Sequence, residues 1–96
     1  MMVLVTYDVA TETENGKRRL RRVARLCQNH GQRVQKSVFE CSLDSAQFAA
    51  LRNRLTHEID SACDSLRFYF LGNNWHHRVE HVGANPSYDP DGFLEV

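Results

Sequence analysis

The 96-residue chain has no glycine-rich phosphate loop, no H-E-x-x-H pair and no Ser/His/Asp or Cys/His signature, which excludes the motif-bearing nucleotide, zinc-protease and triad classes. No apolar run approaches the roughly 18 to 20 residues that span a bilayer. The first residues also lack a basic stretch leading into a long apolar core, so the expected location is the cytoplasm, with no membrane partner. Cysteine is scarce. Cys27, Cys41 and Cys63 are an odd number without close spacing, and the first two fall on apolar faces, the pattern of buried free thiols in a reducing compartment. No repeat, linker or low-complexity tract breaks the chain.

The most informative absence is that of acid between Asn15 and Lys36. That stretch holds Lys17, Arg18, Arg19, Arg21, Arg22, Arg25, Arg33 and Lys36 without one Asp or Glu. Met1 to Glu14 carries three acids and no Lys or Arg, and Ser37 onward carries four bases against nine acids. The formal net charge of zero is therefore a sum of unlike segments, and it says little about partners. A chain of this length fits one domain that buries about 60 to 65% of its unfolded surface, and a core that modest favours completion by a second copy.

Met2 to Val9 is rich in β-branched residues and reads as a strand, with Val3, Val5 and Tyr7 on one side and Leu4, Thr6 and Asp8 on the other. Ala10 to Gly16 has no period and reads as a loop. Over Lys17 to Gln28, Leu20, Val23, Ala24 and Cys27 form a helical stripe, and Gly31 is expected to supply the left-handed residue that ends the helix. Gln32 to Leu43 is extended but loses its phase around Gln35-Lys36-Ser37, so one bent strand and two strands with a tight turn both fit. Asp44 caps a second helix with Gln47 three residues on, and Phe48, Leu51, Leu55 and Ile59 form its buried side.

Ser65 to Leu71 alternates as a strand covered on both faces, Arg78 to Val82 reads as a short final strand, and Ala84 to Val96 is irregular. The order predicts an α+β, ferredoxin-like βαββαβ fold with an extra short C-terminal strand, an antiparallel sheet carrying two helices on one face. Residues 1–83 form the domain and 84–96 a tail. Tyr7, Phe39, Phe68, Tyr69 and Phe70 offer more apolar strand surface than two helices hide, which points to a homodimer closed sheet to sheet.

A lone carboxylate at a strand end ordinarily caps a turn, so Asp8 by itself is a weak metal motif. In a dimer with the first strand near the two-fold axis, two copies of Asp8 would share one Mg²⁺, an ion that takes only one or two protein carboxylates beside water and phosphate oxygens. Such an ion supports in-line phosphodiester displacement. Arg18, Arg21, Arg22 and Arg25 repeat at helical spacing, repelling one another by a few tenths of a kcal/mol per pair. A mixed-charge face would be mere solvation, whereas a face of one sign points to a polyanion, RNA or duplex DNA. His77 and His81 on a strand would stand about 13 Å apart, too far for one zinc ion. Trp75 is expected to pack at a subunit boundary rather than stack on a base.

The segments V-L-V-T-Y-D-V (residues 3–9), the basic first helix, G-Q-R-V-Q-K-S-V-F-E-C-S-L (31–43) and L-R-F-Y-F-L-G (66–72) together resemble the Cas-two proteins, CRISPR-associated factors of spacer acquisition. The resemblance covers nearly the whole chain except the tail. It implies a ferredoxin-like homodimer with facing sheets, the C-terminal strand of each copy adding to the other's sheet. It further implies either a metal-dependent endoribonuclease or double-strand deoxyribonuclease, or a non-catalytic bridge between subunits of the integrase Cas-one. Tyr7 and Asp8 match the strand-end pair, Arg18 and Arg19 the start of the basic helix, and Arg33, Ser37 and Phe39 the R-V-Q-x-S-V-F motif. On this basis Asp8 is the expected catalytic residue and Mg²⁺ ligand. Arg18, Arg19, Arg21, Arg22, Arg25 and Arg33 are expected to bind nucleic acid, while Tyr7, Ser37 and Phe39 position the site. Three functions stay open: a nuclease, a duplex-binding scaffold, and a regulatory module outside CRISPR.

Overall fold

The computed structural model describes Met1–Gly72 of the chain. The expected strand at Arg78–Val82, Trp75, the histidines from His76 to His81, and the 84–96 tail lie outside these residues. The elements run β1 (Met2–Asp8), α1 (Glu14–Gln28), β2 (Gly31–Gln35), β3 (Val38–Ser42), α2 (Ser45–Glu58) and β4 (Ser65–Phe70). The sheet is antiparallel, in the order β2-β3-β1-β4, so β1 lies between β3 and β4. Both helices pack on one face, as the α+β, ferredoxin-like reading requires.

Alternation along β1 decides what each face holds. Val3, Val5, Tyr7 and Val9 join Phe39, Cys41, Leu43, Val23, Cys27, Leu51 and Leu55 in the core under the helices. Leu4 points the other way, into a smaller cluster with Val38 and Leu71, ringed by Met2, Val34 and Tyr69. Of the five aromatics expected to exceed what two helices hide, only Tyr69 lies on the open face. Tyr7, Phe39 and Phe68 sit on the helix side, where Phe48 of α2 takes Phe68 edge-on at 5.4 Å and Phe70 at 5.1 Å. The helices cover more than their lengths suggest because Phe48 reaches over the β4 edge, although Phe70 remains 57% exposed.

The helix termini follow local chemistry. Thr13 caps α1 by accepting from the Gly16 amide at 3.0 Å, so the helix begins at Glu14, inside the stretch expected to be loop. At α2 the capping box forms: Asp44 Oδ1 accepts from the Gln47 amide at 2.7 Å, and Gln47 Oε1 accepts from the Asp44 amide at 2.9 Å. Gly31 does not end α1 in a left-handed conformation, since Gly72 is the only positive-φ glycine among the described residues. It opens β2, and a Cβ there would collide with the Glu40 carbonyl and the Cys41 sulfur. The phase loss at residues 35–37 is a two-residue turn at Lys36-Ser37, preceded by a register shift between Arg33 and Gln35.

Candidate functional site

Asp8 is the last residue of β1 and is exposed. Its neighbours Tyr7 and Val9 are buried under the helices, so its carboxylate projects on the open side of the sheet, paired across the strand with Ser65. Among the described residues it makes no hydrogen bond or ion pair. Arg67, the nearby base on that face opposite Thr6, is engaged by a hydrogen bond with Tyr69, which raises its pKa. No group of three His, Cys, Asp or Glu side chains among the described residues is close enough to hold a metal ion. One chain therefore contributes one uncommitted hard-oxygen ligand, which suits Mg²⁺ as part of a site and not as a whole one.

Tyr7 and Phe39 hold the strand beneath Asp8. Their rings stack at 6.2 Å with 22° between planes, and Arg33 Cζ lies 5.1 Å from the Phe39 centroid. The Tyr7 amide donates to the Ser37 carbonyl at 3.1 Å, and its hydroxyl donates to the Lys36 carbonyl at 3.4 Å. Burial, reinforced by Cys27 and opposed by Arg33, raises the Tyr7 pKa. Tyr7, Ser37, Phe39 and Arg33 are thus brought together, with Arg33 lying over an aromatic ring. Burial pushes the thiols of Cys27 and Cys41 up to about 12 and about 11, which leaves them inert core groups.

The arginines of α1 do not act as one face. Arg19 turns inward, its Nε 2.8 Å from Asp64 Oδ2 and only 17% of its side chain exposed. Arg22 bridges to Glu58 of α2 at 3.2 Å, and Lys17 to Glu14 at 3.5 Å. Arg18, Arg21 and Arg25 are exposed and have no ion pair or hydrogen bond among the described residues. All of them belong to the helix layer, across the sheet from the Asp8 carboxylate.

Asp64, which the sequence does not single out, is the buried polar hub of this region. Its side chain is 0% exposed. It accepts from the Ala10 amide at 3.0 Å and the Asp60 amide at 2.8 Å as well as from Arg19, tying the loop after Asp8 to the turn before β4. Burial alone would raise this carboxyl, but the hydrogen bonds from Arg19, Asp60, Ala10 and Cys63 together bring it down to about 2. The loop is held from the other side as well, since a Cβ on Gly16 would strike the Ala10 carbonyl. The only sequence signal was an acid next to a strand with a surplus of arginine elsewhere, which does not name the pair.

The family model described as CRISPR associated protein Cas2 matches residues 1–79. The chain belongs to the Cas2 family. It is 63% identical over 94 residues to the CRISPR-associated endoribonuclease Cas2 of Chlorobaculum tepidum, covering 98% of each chain. It is 58% identical over 89 residues to the CRISPR-associated endonuclease Cas2 of Halalkalibacterium halodurans, covering 93% of each. Among solved structures, Streptococcus pyogenes Cas2 at pH 6.5 matches with a TM-score of 0.78 and 61% identity, covering 86% of this chain and 100% of that one. The fold and the family expected from the sequence agree with these likenesses, and membership places this Cas2 protein in the CRISPR system.

Proposed function

We propose that this Cas2 protein acts in spacer acquisition as a cytoplasmic homodimer and an Mg²⁺-dependent phosphodiester endonuclease, on RNA or on duplex DNA. The observation that carries this is the exposed Asp8 carboxylate, uncommitted among the described residues, at the end of the strand between β3 and β4, on the sheet face opposite α1 and α2. A second copy laid against that face would bring a second Asp8 toward the first. Asp8 of the two copies would hold Mg²⁺, which when bound activates water and offsets charge on the scissile phosphate. Tyr7 and Phe39, packed in the core, fix the strand that presents the carboxylate, and Asp64 fixes the loop behind it. The endoribonuclease and endonuclease names of the relatives agree with this chemistry.

The experiment is cleavage of RNA and duplex substrates by purified Asp8→Asn protein in Mg²⁺. Because Asp8 has no partner to lose among the described residues, the variant should keep its melting temperature and dimer mass while cleavage falls by about 100-fold or more. Retained cleavage would overturn the assignment. A second reading, a non-catalytic duplex scaffold bridging Cas-one integrase subunits, is favoured by the position of the free arginines on the helix layer, away from Asp8. It predicts that integration with Cas-one survives Asp8→Asn and fails when Arg18, Arg21 and Arg22 are neutralised.

A further inference from the structure

The two helices enclose an open trough on the surface of the helix layer. It has two adjoining parts, of about 490 Å³ and about 440 Å³, which share Arg22, His57 and Glu58. Helix α1 supplies Arg18, Arg22, Arg25 and the Asp64-bound Arg19 to one wall, and α2 supplies Arg54 and His57 to the other. Glu58 is the one carboxylate among the described residues that line the trough, and it is already tied to Arg22 at 3.2 Å. Arg18, Arg25 and Arg54 have no ion pair or hydrogen bond among the described residues. Arg21 and Arg52, equally charged and exposed, line neither part.

Two packed helices ordinarily face acids with bases across their seam, since like charges brought together cost a few tenths of a kcal/mol per pair. Here the seam has one such pair, Arg22 with Glu58, and beyond it sets Arg18 and Arg25 of α1 opposite Arg54 of α2. That arrangement opposes folding slightly and makes sense if an anion occupies the trough. Arg18 and Arg25 are seven residues apart, about 10 Å along the helix axis. At a rise of about 3.4 Å per nucleotide, that length meets about three consecutive phosphates of one strand.

We infer that the trough between α1 and α2 is a binding track for the phosphodiester backbone of a nucleic acid, with Arg18, Arg22 and Arg25 on one wall and Arg54 and His57 on the other. The inference rests on the nucleic-acid-binding reading above. It goes beyond it by adding a wall from α2, by placing Arg21 and Arg33 outside the track and leaving Arg19, which lines its second part, committed to Asp64, and by putting the track across the sheet from Asp8. Binding there reads charge and spacing and not bases, so it is independent of sequence. Glu58 opposes it, both by its own charge and by holding Arg22.

The test is fluorescence anisotropy of a labelled 30-base-pair duplex at several salt concentrations, using full-length protein variants whose melting curves match the wild type. Arg25→Gln with Arg54→Gln should weaken binding about tenfold or more and lower the salt slope by about 2, whereas Lys36→Gln with Arg52→Gln, an equal loss of exposed charge outside both parts of the trough, should change affinity by less than about threefold. Glu58→Gln should tighten binding by about threefold. Equal losses in the two double variants, or weaker binding in Glu58→Gln, would overturn the track and leave a diffuse field. Tighter binding of polyglutamate than of duplex at matched charge would assign the trough to an acidic protein instead. Wild-type protein that binds no duplex would sink the nucleic-acid reading together with the track, an outcome distinct from the others.

Discussion

Asp64 decides more about the candidate site than any residue singled out from the sequence except Asp8. It is an ionised carboxylate with no exposed side-chain surface, and it answers Arg19 and two backbone amides at once. Its folded pKa, about 2, lies below the ordinary 3.8. The unfolded chain therefore binds the proton more readily between those values, and the stabilisation is complete above about pH 4 and lost as pH falls through about 2. Asp64→Asn should cost about 2 to 3 kcal/mol of unfolding free energy at pH 7, because Arg19 is left half-buried without its counter-charge. In urea titrations that difference should shrink between pH 4 and pH 3; a difference constant with pH would contradict the ionised pair. Asp8 was legible because alternation with Tyr7 and Val9 sends it out of the core. Asp64 was not, because nothing local in the sequence says that a turn carboxylate will meet an arginine 45 positions earlier.

The two helices differ in what sets them. The α1 stripe of Leu20, Val23, Ala24 and Cys27 was readable at helical spacing, and Val23 and Cys27 are fully buried. The α2 start was readable as a capping box, and Asp44→Ala should cost about 1 kcal/mol in unfolding free energy while leaving the position of β4 unchanged. A loss below a few tenths would mean that the cap geometry is not used. Which arginines of α1 face α2 was beyond the sequence, since the rotation of a helix about its axis is set by the partner it packs on. Gly31 shows the same limit. A glycine after a helix suits a left-handed stop and a close strand contact equally well, and only the crowding against Glu40 and Cys41 selects the second.

At the scale of the whole molecule, the sheet separates two kinds of surface. The helix layer carries the arginines that have no partner among the described residues, and the opposite face carries the exposed Asp8 and a small buried cluster of Leu4, Val38 and Leu71. The aromatic surplus that points to a second copy is mostly under the helices, and Leu4, Val38 and Leu71 are already buried within one chain, so the case for dimerisation rests on the single carboxylate each chain contributes to the metal site. A metal shared between two chains requires the dimer, whereas a scaffold requires only the arginines. The most direct measurement is the stoichiometry of Mn²⁺, as a stand-in for Mg²⁺, counted by calorimetry or by paramagnetic relaxation on purified protein of known mass in solution. The account predicts one ion per dimer in the wild type and none in Asp8→Asn. One ion per chain, or binding that persists in Asp8→Asn, would contradict it.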